Sequence, residues 1–286
     1  MLHCSMPLRP RINKRCEYLL TPISIAYADI GKKILCISQA KAINPEITVK
    51  YVKTLNEKLV CFDRVITDSD PVLINFAKKL ISKSLKPYKT RKTLLTCDCG
   101  AYEELVCVRM FSRRRVVNNF CVFCNYELKK IEDWVLMANI NWPNPLDFSF
   151  NQSWAKVDFT RFLERQIQNH KISKRNELTL VLSKTDEFGI RYQILWAAMI
   201  VFLAKSEQDY NITMHYVHKV QDKAFFVCSL AKIMMPKLQI HMNALPIVWL
   251  DDSPLIPECR PSQIKLLRKG LITKRKELKV SLKCWR

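Results

Sequence analysis

Four cysteines in two close pairs, Cys97-x-Cys99 and Cys121-x-x-Cys124, have the spacing at which thiolates on tight turns converge on one tetrahedral zinc ion. Zinc bound in this way would supply the folding energy that a segment too small for its own core lacks. Gly100 favours a turn after the first pair, and Cys107 is a fifth thiol that could replace one of the four. Reduced free thiols are the alternative, and the narrow C-x-C pair keeps it open. Between the pairs stands Arg113-Arg114-Arg115, flanked by Phe111 and Phe120. Guanidinium groups near aromatic rings can hold phosphate and stack on bases, although such a run is also found simply solvated.

The rest of the composition narrows the chemistry. The chain has 286 residues and a formal charge of +21, from 47 Lys+Arg against 26 Asp+Glu, which favours polyanionic partners such as nucleic acid or an acidic membrane face. Only four glycines occur, at positions 31, 100, 189 and 270. Phosphate loops of the P-loop and dinucleotide types need clustered glycines for close backbone approach, so those types are excluded. Most of the twelve cysteines lie singly in apolar runs, as Cys36, Cys61 and Cys228 do, and read as small buried hydrophobes of a reducing interior. The N-terminal segment has no apolar stretch of the secretory kind. Arg9, Arg11, Lys14 and Arg15 precede the first acidic residue, Glu17, a pattern also compatible with an organellar presequence. The longest apolar run, 194–204, is too short to span a bilayer. The expectation is a protein without a transmembrane segment, in the cytoplasm or an organellar matrix.

The elements that would position these groups alternate between short strands and helices, the signature of an α/β fold. Residues 1–17 read as a basic arm, and 18–25 as the opening strand of a parallel sheet. Asn44-Pro45-Glu46 and Asp68-Ser69-Asp70-Pro71 are helix starts. Behind the second, Leu73, Phe76, Ala77, Leu80 and Ile81 form an apolar stripe at helical spacing. Residues 58–67 and 177–182 are strand candidates, 154–169 an amphipathic helix, 190–204 a helix buried on nearly all sides, and 247–250 a late strand. The expected organisation is an arm at 1–17, two halves of a sheet domain at 18–93 and 129–250, a cysteine insert at 94–128 and a basic tail at 251–286.

Several segments, in order, resemble the catalytic domain of class I methionyl-tRNA synthetases. "LLTPI" (19–23) is similar to that family's first strand, and "ADIGKK" (28–33) stands where the family carries His-Ile-Gly-His. The stretch 43–85 resembles the approach to the family's connective insert, a zinc knuckle, which Cys97, Cys99, Cys121 and Cys124 match. "RFLERQIQNHKISKRNE" (161–177), "FGIRYQILWAAMIVFLA" (188–204) and "MHYVHKV" (214–220) are similar to later segments. The resemblance implies a Rossmann-like domain acting on methionine, ATP and tRNA, with zinc in the insert. It also implies candidate ATP contacts at Asp29, Gly31, Lys32, His215 and Lys223, and candidate catalytic groups at Lys32, Asp186, Glu187, Tyr192 and His218.

The departures point to a shortened, degenerate member. Asp29 and Lys32 replace the two histidines of the first motif, and the lysine-rich loop that stabilises departing pyrophosphate has no clear counterpart, Lys223 and Lys232 being the nearest lysines. Preorganised donors of this kind are each worth about 3 to 4 kcal/mol of barrier, so adenylation is expected to be weak or absent. The function expected is binding of tRNA or another structured RNA, with Arg113, Arg114 and Arg115 as contacts. An active methionine–tRNA ligase, or a related adenylate-transfer enzyme, is the alternative. The cysteine reading carries its own test: protein purified without chelators should hold about one zinc per chain, and Cys121→Ser or Cys124→Ser should release it. Metal analysis finding none would remove the knuckle.

Overall fold

The computed structural model describes residues 1–6, 31–37, 62–96, 102–104, 127–173, 177–182, 190, 192–217 and 221–245. They form two sheets. The larger has six strands, all parallel: β1 (Leu2–Ser5), β2 (Lys32–Ile37), β3 (Arg64–Thr67), β7 (Phe148–Phe150), β9 (Asn211–Val217) and β10 (Gln239–Leu245). Their spatial order is β3-β2-β1-β9-β10-β7. Two strands, β2 and β3, are laid outward from β1 on one side and the late strands β9 and β10 on the other, the winding of a Rossmann-like sheet. The short edge strand β7 joins from earlier in the chain.

The first strand corrects the expected arm. Leu2–Ser5 lies between β2 and β9, with Leu2 opposite both Lys32 and Ile212. A central parallel strand must bury both faces. Leu2, Cys4 and Met6 meet that demand on one face, and His3 is buried on the other. The expected strand at 18–25, the helix after Asn44 and the strand at 247–250 lie outside the described residues.

One face of the parallel sheet is covered by helices. Helix α1 (Pro71–Leu85) begins where expected: the Asp70 carboxylate accepts from the Val72 amide at 2.8 Å, and Pro71 occupies the first turn. Its buried stripe, Leu73, Ile74, Ala77, Leu80, Ile81 and Leu85, faces the core. Helix α2 (Ser153–Ser173) brings Phe159 and Phe162, which pack with Phe225 at ring separations of 5.0 and 5.8 Å. Helix α3 (Tyr192–Ser206) is apolar almost all round, with every residue from Ile194 to Val201 buried. A helix of this kind must be sandwiched, and it packs between α1 and α4 (Gln221–Met234). The buried Asp68 carboxylate accepts from the Trp196 indole at 2.9 Å, tying the turn before α1 to α3.

The smaller sheet is antiparallel, ordered β5-β4-β6-β8, from β4 (Tyr88–Thr96), β5 (Tyr102–Glu104), β6 (Lys129–Asn139) and β8 (Glu177–Leu182). Leu94, Val135 and Met137 form its own small core. Thr96 is paired with both Tyr102 and Lys129, so both ends of the segment that bears the four cysteines attach to one end of this ladder.

Gly31 is the one described position where backbone conformation restricts the residue sharply. Its φ is +114°, and a Cβ there would lie 2.3 Å from the Met1 carbonyl oxygen and 3.2 Å from Cδ2 of His3. Gly31→Ala should therefore destabilise the fold by roughly 1 to 3 kcal/mol, from left-handed strain and the clash with β1. Chemical denaturation would check this, and an unchanged midpoint would show that Gly31 does not abut the central strand.

Candidate functional site

In a doubly wound sheet the ligand crevice opens at the carboxyl ends of the strands, where winding reverses direction. Here that switch point lies between β1 and β9. Strand alternation sends Ile212, Met214 and Tyr216 of β9, and Ile240, Met242 and Ala244 of β10, into the helix-covered core. The opposite face of the same strands carries Thr213, His215, His241 and Asn243, beside His3 of β1 and Ser149 of β7.

These side chains form a ladder across the strands. His3 Nδ1 lies 3.0 Å from His215 Nε2, and His215 Nδ1 lies 2.8 Å from the Asn243 amide nitrogen. His3 and His215 are 5% and 2% exposed, so solvent does not replace these partners. The two contacts join His3, His215 and Asn243 into one polar chain, in which the tautomer of each ring sets which nitrogen donates. The backbone closes the same point: the Met6 amide donates to the His215 carbonyl at 2.9 Å. His215 is level with Ser5, the last residue of β1, and so stands at the carboxyl edge. Further across the sheet, at the level of Thr213, Ser149 Oγ lies 2.9 Å from His241 Nδ1. On the core side, burial raises the Tyr216 phenol pKa, and its hydroxyl has no hydrogen-bond partner among the described residues.

The structure divides the expected ATP-contact set between the two edges of the sheet. His215 is at the carboxyl edge. Lys223 lies in the first turn of α4, only residues 218–220 after β9, and is therefore on the same side. Tyr192 opens α3, which runs back to the start of β9, so its backbone also stands at the carboxyl-edge end. Gly31 and Lys32 lie at the opposite edge. Lys32 opens β2 opposite Leu2, about 10 Å along the strands from the level of Ser5. Lys232 donates to the Leu238 carbonyl at 2.7 Å and serves a turn. Asp29, Asp186, Glu187 and His218 lie outside the described residues. So do Cys97, Cys99, Cys107, Cys121 and Cys124, and Arg113, Arg114 and Arg115.

Lys32 is engaged where it stands. Its ammonium pairs with Glu207, which also accepts from Arg64 at 3.0 Å. Arg64 in turn donates to Ser206 Oγ at 2.9 Å and lies over the Phe202 ring at 5.5 Å. The hydrogen bond from Lys32, helped by Arg64, lowers the Glu207 pKa below its ordinary value, and the same contact raises that of Lys32. Two residues the sequence left unmarked, His3 and Asn243, complete the ladder. His3 fell in the expected arm, and Asn243 lies on a strand that was not expected. Their signal is alternation, with Leu2, Cys4, Met6 and then Ile240, Met242, Ala244 marking the opposite face.

The fold is thus a Rossmann-like α/β sheet with an antiparallel sheet beside it. No protein-family model matches the sequence, and no curated protein is similar to it. In structure the chain is similar to a Mycobacterium tuberculosis methionyl-tRNA synthetase bound by methionyl-adenylate, with a TM-score of 0.49 and 10% identity. The match covers 86% of this chain and 57% of that one, so the chain spans less than two thirds of that protein's length. Among the described residues, no helix is long and apolar enough to cross a membrane.

The amino-edge cluster predicts a pH dependence. Because the folded pKa of Glu207 is lowered, its contribution to stability is fully present above the ordinary value of 4.5 and is lost as pH falls through the folded value. The stability difference between wild type and Glu207→Gln should hold from about pH 7 to about pH 5 and narrow below that. Urea denaturation across this range would test it; a difference that widens in acid would show that Glu207 is not held by Lys32 and Arg64.

Proposed function

We propose that this chain is a methionyl-tRNA synthetase-like protein that binds tRNA or another structured RNA and has weak or no adenylation activity. The observation that carries the RNA reading is charge. From Pro71 to Cys97 the chain has no carboxylate and seven cations, Lys78, Lys79, Lys83, Lys86, Lys89, Arg91 and Lys92. All but Lys92 are exposed, and they run without interruption along α1, its left-handed cap at Lys86 and β4. An unbroken cationic row at a protein surface attracts a phosphate backbone through counterion release.

The weak-catalysis reading rests on the opposite edges described above. Lys32 is held by Glu207 at the amino edge, while a nucleotide in such a sheet would sit at the carboxyl edge. The order of segments that resemble methionyl-tRNA synthetases supports the family reading. Zinc in the 97–124 segment would be held by Cys97, Cys99, Cys121 and Cys124; the common anchorage of that segment at Thr96 and Lys129 suits a metal-closed knuckle. A second reading, an active methionine–tRNA ligase, draws on one feature: the His3–His215 pair stands at the switch point, with Tyr192 and Lys223 on the same side as further groups.

Binding of labelled tRNA at increasing salt, together with methionine-dependent pyrophosphate exchange, tests both parts. Binding should weaken steeply with salt, and Lys79/Lys83/Lys86→Ala and Arg113/Arg114/Arg115→Ala should each lower the salt slope by about three counterions. Lys274/Arg275/Lys276→Ala is the control for general charge. If all three triples act equally, the attraction is nonspecific; if none acts, tRNA is the wrong partner. Pyrophosphate exchange should be undetectable or very slow, whereas turnover at roughly 1 to 10³ per second would establish the ligase reading.

A further inference from the structure

We infer that the outer face of the antiparallel sheet is a stacking platform for unpaired bases of RNA, centred on Trp134. This deepens the RNA-binding reading above and rests on it. On β6, Val135 and Met137 point into the small core, so alternation turns Glu132 and Trp134 outward. Trp134 is 41% exposed, an unusual state for the largest apolar side chain on a strand that has a core of its own.

Its neighbours are cations. Arg91 is directly opposite Trp134 across the β4–β6 ladder, with its guanidinium carbon 5.0 Å from the ring centroid. Lys89, one step further along the same face of β4, places its ammonium 4.7 Å from that centroid. Lys130 belongs to the same face. Glu132 lies on that face and is taken up by the Thr93 hydroxyl; Glu103, opposite Leu95 on β5, has the same parity at the end of the face away from Lys89. Asp133 has the opposite parity and accepts from the Trp134 amide at 2.7 Å.

The arrangement supplies the two parts that single-stranded nucleic acid requires, a ring on which a base can stack and cations within reach of its phosphates. The cation contacts order the indole before any ligand arrives, which lowers the entropic cost of stacking. Bases inside a duplex already stack on one another and cannot reach a flat protein ring, so the platform selects unpaired nucleotides. The cationic row on α1 ends at β4, beside Trp134, and would carry the backbone of the adjoining RNA.

Fluorescence anisotropy on the full chain, with a short labelled single-stranded oligoribonucleotide and a blunt-ended RNA duplex as probes, tests the proposal. Trp134→Ala should weaken single-strand binding roughly tenfold or more and leave duplex binding within about twofold. Trp134→Phe should retain most of the affinity, while Trp134→Leu, which keeps apolar bulk without a π-face, should not. The Phe and Leu pair decides the matter even if the alanine variant folds poorly. Lys89→Ala/Arg91→Ala should weaken both probes and flatten the salt dependence. Single-strand binding that is unaffected in a folded Trp134→Leu variant overturns the platform, and retained duplex binding would then leave the RNA reading standing. If wild type binds neither probe, the RNA reading fails as well.

Discussion

A four-residue strand that must be buried on both faces governs this fold. β1 has the fewest residues with which to satisfy two neighbours, and it sits where the sheet reverses its winding. On the helix side, Leu2 and Cys4 join the aliphatic and aromatic residues of α1 to α4 in one core. On the other side the requirement is harder, because His3 is polar. A buried imidazole without partners would cost about 1 to 3 kcal/mol, so a second polar group must lie within reach on the same face. His215 is that group, and it requires Asn243 in turn. The polar ladder across three strands follows from placing one histidine on the central strand.

The same strand separates two electrostatic environments. At its amino end, Lys32 and Arg64 converge on Glu207. At its carboxyl end the ladder is made of two imidazoles and an amide. Charge at the amino edge ties β2 and β3 to the end of α3, and so it acts on the sheet. Imidazole and amide groups at the carboxyl edge can orient a polar group by hydrogen bonds. The geometry therefore separates sheet-stabilising charge from ligand-facing polarity, and a motif assignment that joined Lys32 to His215 crosses that division.

Much of the frame was legible because its signals are local. Asp70-Pro71 marks a helix start by capping chemistry alone, and the all-round apolarity of 194–204 permits only a sandwiched helix. The alternation at 177–182 is equally direct. What escaped detection depended on pairing across the chain. Leu2-His3-Cys4-Ser5 is too short to register as a strand beside the proline and arginines that follow, and only β2 and β9 make it one. β10 was missed for a related reason: His241 and Asn243 break the hydrophobic run, yet these are the residues that face the ladder. Lys32 illustrates the converse case. Similarity of a hexapeptide says nothing about which end of a strand it occupies, and here Gly31-Lys32 opens β2 instead of following β1.

The two sheets answer different physical demands. The parallel sheet is largely buried, so its polar side chains are drawn into contacts with one another, as His3, His215 and Asn243 are. The antiparallel sheet needs only one face covered. Its inner side is satisfied by Leu94, Val135 and Met137; on the outer side Leu95 and Ala138 are buried at the two ends, and the stretch between them around Trp134 is exposed. Lys89, Arg91 and Trp134 occupy that side because exposure there costs little folding energy, and because each cation offsets part of the exposure of the ring. An insert built this way can change its surface without disturbing the larger core.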